Sequence, residues 1–81
     1  MNERESLAAL DVGITQEIAL LEGSPDDVAM LDAIGVSPGR RVTVLRRAPF
    51  GGPIHVRIDT GIEVAIDQAL ASHIVLRSVG S

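Results

Sequence analysis

Apolar and polar residues alternate with a period of two along Ile54-His55-Val56-Arg57-Ile58, and Ile62, Val64 and Ile66 repeat that spacing after Asp59-Thr60-Gly61. This is the period of strands that lay one face on a core. Upstream, Arg41-Val42-Thr43-Val44-Leu45 is rich in β-branched and apolar residues and predicts another strand. Thr15 to Leu21, stopped at Gly23, predicts the first strand with imperfect alternation, and His73-Ile74-Val75-Leu76-Arg77 predicts the closing one. Between residues 24 and 35 the spacing changes. Val28, Leu31 and Ile34 recur at helical intervals and predict a buried stripe, with Met30 on its flank. Ser24 is placed to cap this helix, Pro25 suits its first position, and Asp26 and Asp27 sit where the helix dipole favours negative charge. Gly35 ends it in a left-handed turn.

The connections carry their own signals. Pro38-Gly39 predicts a type II turn. Asp59-Thr60-Gly61 predicts a tight hairpin with Gly61 as its positive-φ residue. Ser6 to Leu10 predicts one turn packed against the sheet, and Asp67 is placed to cap a single turn through Ala71. The widest connection is Arg46-Arg47-Ala48-Pro49-Phe50-Gly51-Gly52-Pro53-Ile54. Two prolines remove backbone donors there, and two glycines permit the positive φ that a sharp reversal needs. The order is strand, helix, then four strands. It predicts a mainly β domain, α+β by content: a small closed or nearly closed barrel of about five antiparallel strands, with one α-helix between the first and second. One domain is expected over residues 1–81, frayed at 1–5 and 78–81.

Composition narrows the function. With 46% hydrophobic and 22% charged residues the chain is globular, and without Cys it has neither a disulfide framework nor a thiolate nucleophile. The charged N-terminus does not read as a secretory signal, and no stretch is long enough to span a membrane, so a soluble cytoplasmic protein is expected. A net charge of −4 and a single aromatic residue disfavour nucleic acid, which calls for basic surface and stacking platforms.

Candidate chemistry is sparse. Phe50, the single aromatic, either folds back as a lid over the core or projects toward a partner. Arg40, Arg41, Arg46 and Arg47 stand at the two ends of one strand, either as a solvated rim or as a surface for an acidic partner. His55 and Glu63 fall on one outer face and are weak candidates for a metal; His73 and Asp59 are further possible ligands. Asp59-Thr60-Gly61 matches the aspartic-protease triplet, but a hairpin favours the same residue types. No phosphate-loop or nucleophile-elbow spacing occurs, and a proline-gripping aromatic groove has no residues to build it. No enzyme activity and no cofactor are expected. Val12 and Leu45 are candidate points of self-association, so a homo-oligomer is open.

Three segments together resemble the FeoA family of small SH3-like proteins of bacterial ferrous-iron uptake. Leu31-Asp32-Ala33-Ile34-Gly35-Val36-Ser37-Pro38-Gly39 is similar to the family's helix end and turn. Arg46-Arg47-Ala48-Pro49-Phe50-Gly51-Gly52-Pro53-Ile54 is similar to its central loop, basic residues followed by Pro-x-Gly-Gly-Pro. Gly61-Ile62-Glu63-Val64-Ala65-Ile66, with Ala71 and Ile74, is similar to its hairpin and closing strand, and Leu7, Leu10 and Gly13 fit its N-terminal lead. Ile66, where leucine is common, and the acidic Asp59 turn depart from the pattern. The resemblance implies a regulatory or accessory role through binding to FeoB, a membrane GTPase-permease, at the inner face of the cell membrane. The candidate binding surface is Arg46, Arg47, Phe50, Gly51 and Gly52. The alternative is a metal-sensing or regulatory domain like the C-terminal barrel of DtxR-type iron- and manganese-dependent repressors. In those proteins it follows a helix-turn-helix and a dimerisation domain; 81 residues leave room for neither, so a stand-alone protein is expected.

Overall fold

A computed structural model of the chain describes residues 5–78. Its elements in order are β1 (Glu5–Ser6), a 3₁₀ turn (Leu7–Ala9), β2 (Thr15–Leu21), α1 (Pro25–Ala33), β3 (Arg41–Arg47), β4 (Ile54–Ile58), β5 (Ile62–Ile66), α2 (Gln68–Ala71) and β6 (Ile74–Arg77). Six strands form one antiparallel sheet in the order β1-β6-β2-β3-β4-β5. The sheet wraps one apolar core that includes Leu7, Ile18, Leu31, Val36, Val42, Val44, Ile54, Val56, Ile58, Ile66 and Ile74, and no polar residue is buried among the described residues. β1 and β5 are the two edges, so the ladder is curled rather than hydrogen-bonded into a closed ring.

The strand count exceeds the expected five because Glu5 and Ser6 pair with Leu76 and Val75. Glu5, expected to fray, is therefore held in the sheet. Residues 1–4 and 79–81, also expected to fray, lie outside the described residues. β2 serves two partners: Thr15 to Glu17 pair with β3, and Glu17 to Leu21 pair with β6. A bulge between Ile18 and Leu20 inserts one residue, which explains the broken alternation of this strand.

The helix starts and stops as its ends dictate. The Asp27 N–H donates to Ser24 Oγ at 3.1 Å. At the other end Val36 N–H reaches the Leu31 carbonyl at 2.9 Å, Gly35 N–H reaches Asp32 at 3.1 Å, and Gly35 has φ +97°. This is a Schellman closure, and its two apolar partners, Leu31 and Val36, are both fully buried. The expected helical stripe is only partly buried. Leu31 is in the core and Val28 is half-buried, but Ile34 is 39% exposed. Ile34 is the C-cap, with φ −96° and ψ 8°, so its side chain leaves the helical row.

Ile62, expected to point inward, is likewise exposed. It opens edge strand β5, which has a neighbour on one side only, and burial deepens along the strand to Ile66. Its Cδ1 lies 3.4 Å from where a Cβ on Gly35 would stand, so it covers the end of the helix instead. α2 forms after Asp67 as expected, but the Asp67 side chain makes no capping bond.

Candidate functional site

β3 and β4 form the hairpin that carries the central loop. Val42 and Val44 pair with Ile58 and Val56 with all four side chains buried. Continued alternation would drive Arg46 into the core. A bulge between Val44 and Arg46 prevents this by adding Leu45 to one strand. The slip of one residue exchanges faces. Arg46 now lies opposite His55 on the outer face, and Arg47 lies opposite the buried Ile54.

The two arginines consequently do different work. Arg46 is exposed, and its Nη2 donates to His55 Nδ1 across 3.4 Å. Arg47 is half-buried and donates from Nη2 to the backbone carbonyl of Leu10, tying the loop end of the hairpin to the segment after the 3₁₀ turn. The basic shoulders expected to act together are thus one exposed cation, in contact with His55, and one structural brace.

Beyond Arg47 the loop is ordered by its own backbone. Ala48 N–H donates to the Pro53 carbonyl at 3.0 Å, and Gly52 N–H donates to the Pro49 carbonyl at 3.2 Å. The second bond closes a four-residue turn with Phe50 and Gly51 at its centre. Their φ values are +59° and +72°, the paired positive angles of a type I′ turn. That turn matches the twist of the flanking strands, but it normally takes Asn, Asp or Gly in its first central position. Phe50 in the left-handed region costs about 1–2 kcal/mol. Gly52 is required for a different reason. A Cβ there would stand 2.8 Å from the Ala48 Cβ, inside contact distance. Phe50 is fully exposed at the tip and is not a lid over the core. No aromatic signal in the sequence distinguishes these outcomes, because the decision lies in the backbone of the turn.

The candidate metal ligands are occupied otherwise. Glu63 lies opposite Arg57 and accepts from its Nη2 at 3.3 Å, the cross-strand pairing expected for this face, while His55 lies opposite Ala65 and faces Arg46. No group of three or more His, Cys, Asp or Glu side chains among the described residues is arranged to hold a metal ion.

Asp59 has a structural task. It, and not Gly61, takes the positive φ of its hairpin, at +55°. Its Oδ1 accepts the Arg41 backbone N–H at 3.1 Å, and its Oδ2 accepts Arg40 Nη1 at 2.9 Å. The Arg41 amide, above all, holds its carboxyl below its ordinary value; desolvation opposes that lowering, and the Arg40 guanidinium adds to it. A carboxylate turned back on its neighbours in this way is a hairpin latch, not half of a protease dyad. Arg40 by its guanidinium and Arg41 by its backbone are correspondingly engaged at the opposite end of β3 from the loop. Of the apolar residues named for self-association, Val12 is exposed and Leu45 is half-buried.

Comparison with known proteins follows the same lines. A family model for the FeoA domain matches residues 5–78. No curated protein matches the chain. Among solved structures, the chain is similar to the crystal structure of an iron uptake regulatory protein, FeoA. The two are 25% identical, with a TM-score of 0.83, over 93% of this chain and 97% of that one. It is also similar to a manganese-dependent transcriptional repressor in complex with manganese, at 30% identity and a TM-score of 0.87. That match covers 98% of this chain and 38% of the repressor. The zinc complex of Stenotrophomonas maltophilia FeoA, described as a procaryotic SH3 domain protein, is 19% identical with a TM-score of 0.75, over 90% of this chain and 89% of that one. That likeness bears on the fold, which is SH3-like. No helix among the described residues is long and apolar enough to cross a membrane.

Proposed function

The chain belongs to the FeoA family, and from that premise we propose that it is an accessory protein of ferrous-iron transport. It works in the cytoplasm by binding the cytoplasmic part of a FeoB-type GTPase-permease, and it carries out no chemistry of its own. The binding surface is the β3–β4 hairpin: Arg46 on the stem, Phe50, Gly51 and Gly52 in the turn, and Arg47 as the brace beneath them.

The observation that carries this reading is the hairpin itself. It projects a pre-ordered backbone and an exposed guanidinium from a domain whose family model spans all the described residues. Glycine lets a partner backbone approach closely, and arginine matches carboxylates in bidentate geometry. A loop already closed by its own hydrogen bonds loses little entropy on binding.

The test is calorimetric titration of the full chain against the purified cytoplasmic part of a FeoB-type transporter, repeated with Arg46→Glu. Saturable binding that weakens at least fivefold in a folded Arg46→Glu variant supports the surface. Absence of binding by the wild type removes the reading.

A second reading rests on the likeness to the manganese-dependent repressor, at 30% identity over 98% of this chain. It makes the domain a metal-responsive regulatory module. Titration with Mn(II) or Fe(II) separates the two, because only the second reading expects saturable heat from metal alone.

A further inference from the structure

We propose that Phe50 is the anchor of this interface: its ring enters an apolar socket on the partner protein, and the turn holds a strained backbone in order to present it. The inference rests on the transporter-binding reading and adds the side chain that carries the affinity.

Three observations converge. Phe50 is 103% exposed, so its ring does nothing for the core. Its φ of +59° is an outlier for a bulky residue, in a position where Asn, Asp or Gly would sit without strain. Strain of this kind persists where it is part of a function. Finally, the tip is rigid. The Ala48–Pro53 and Gly52–Pro49 hydrogen bonds close it, two prolines flank it, and Gly52 packs so tightly on Ala48 that no side chain fits between them. A large ring held out on a rigid tip is the form that binding hot spots take, because an aromatic side chain buries much area and has few rotamers to lose. The exposed Arg46 on the stem gives the partner's chemistry: an apolar socket with carboxylates at its rim.

The molecule itself carries a cleft that a ring could enter. A surface cleft of 290 Å³ between α1 and α2 is lined by Asp27, Met30, Asp67, Ala69, Leu70 and His73. A second copy is therefore the competing occupant, and the experiment must separate it from the transporter.

The experiment compares wild type, Phe50→Asn and Phe50→Leu in the full chain. It reads thermal melting, calorimetric binding to the transporter's cytoplasmic part, and sedimentation of the chain alone. The proposal expects Phe50→Asn to melt about 4 °C or more above wild type, since an unstrained residue then fills the turn. It also expects Phe50→Asn to bind at least tenfold more weakly, with Phe50→Leu intermediate. Equal binding by wild type and Phe50→Asn overturns the anchor while leaving the transporter reading in place. Failure of the wild type to bind overturns both. Melting of Phe50→Asn at or below the wild-type temperature removes the strain argument and overturns the proposal. Self-association of the wild type that Phe50→Asn abolishes, without transporter binding, assigns the ring to a second copy and also overturns it.

Discussion

Asp59 and Arg41 hold each other through two hydrogen bonds: the Asp59 N–H donates to the Arg41 carbonyl at 2.8 Å, and the Arg41 N–H donates to Asp59 Oδ1 at 3.1 Å. One residue directly follows β4 and the other begins β3. The pair fixes the end of the β3–β4 ladder opposite the loop, so the hairpin that carries the candidate surface is clamped at its base.

This latch has a pH signature. The carboxyl of Asp59 has a lower pKa in the folded chain than its ordinary value of 3.8. The unfolded chain therefore binds more protons in that window, and stability rises with pH there. The contribution is fully present above the ordinary value and is lost as the pH falls through the lower, folded one. Asp59→Asn keeps a side chain that tolerates the left-handed backbone but removes the charge. Urea melts at a series of pH values from neutral down to about 2.5 should show a shallower acid loss for Asp59→Asn than for wild type. Parallel curves would refute the latch.

The two neighbouring arginines should separate stability from binding. Arg47→Ala strands the Leu10 carbonyl and should lower stability by about 1–2 kcal/mol. Arg46→Ala touches only an exposed side chain and should change stability by less than about 0.5 kcal/mol. Chemical denaturation of both variants checks the difference, and equal losses would contradict the division of labour set by the bulge.

The adjacent glycines are needed for unlike reasons, and alanine substitution distinguishes them. Gly51→Ala places a side chain at φ +72° with nothing within 4 Å and should cost about 1 kcal/mol of backbone strain. Gly52→Ala drives its Cβ onto Ala48 and should cost about 1–3 kcal/mol. In the double variant Gly52→Ala/Ala48→Gly the 2.8 Å overlap is gone and the Pro49 carbonyl at 3.3 Å is the remaining close contact, so recovery of melting temperature relative to Gly52→Ala identifies overlap with Ala48, rather than backbone conformation, as the cause.

Leu31 is the one fully buried side chain of α1, so the helix hangs on it. Leu31→Ala should lower stability by about 2–5 kcal/mol. Ser24→Ala, which removes only the cap to Asp27, should lower it by about 1 kcal/mol. Thermal melts that rank the two in the opposite order would show that the cap, and not the core contact, holds the helix.

Much of the fold is legible in the residues because local physics decides it. Ser24-Pro25 and Gly35 set the ends of α1 by capping and by left-handed backbone, and both effects act within a few residues. Ile54, Val56 and Ile58 alternate because a strand has a period of two, whatever it packs against. The partial misreadings share a different cause. Ile34 and Ile62 follow the right spacing but lie where the fold has no second layer to cover them. The single-residue slip at Leu45 leaves no mark of its own; its trace is an arginine at a position that strict alternation would bury.

The chain alone therefore determined the strand-rich composition, the helix and its limits, the turns, and the segment that carries the candidate surface, since each depends on contacts or torsions close in sequence. Only the tertiary structure decided that Arg46 is exposed beside His55 while Arg47 is spent on Leu10, that Asp59 latches Arg41, and that Phe50 stands outward on a left-handed turn. Those outcomes depend on register between strands and on which carbonyl lies within reach, and neither is fixed until distant parts of the chain have packed together.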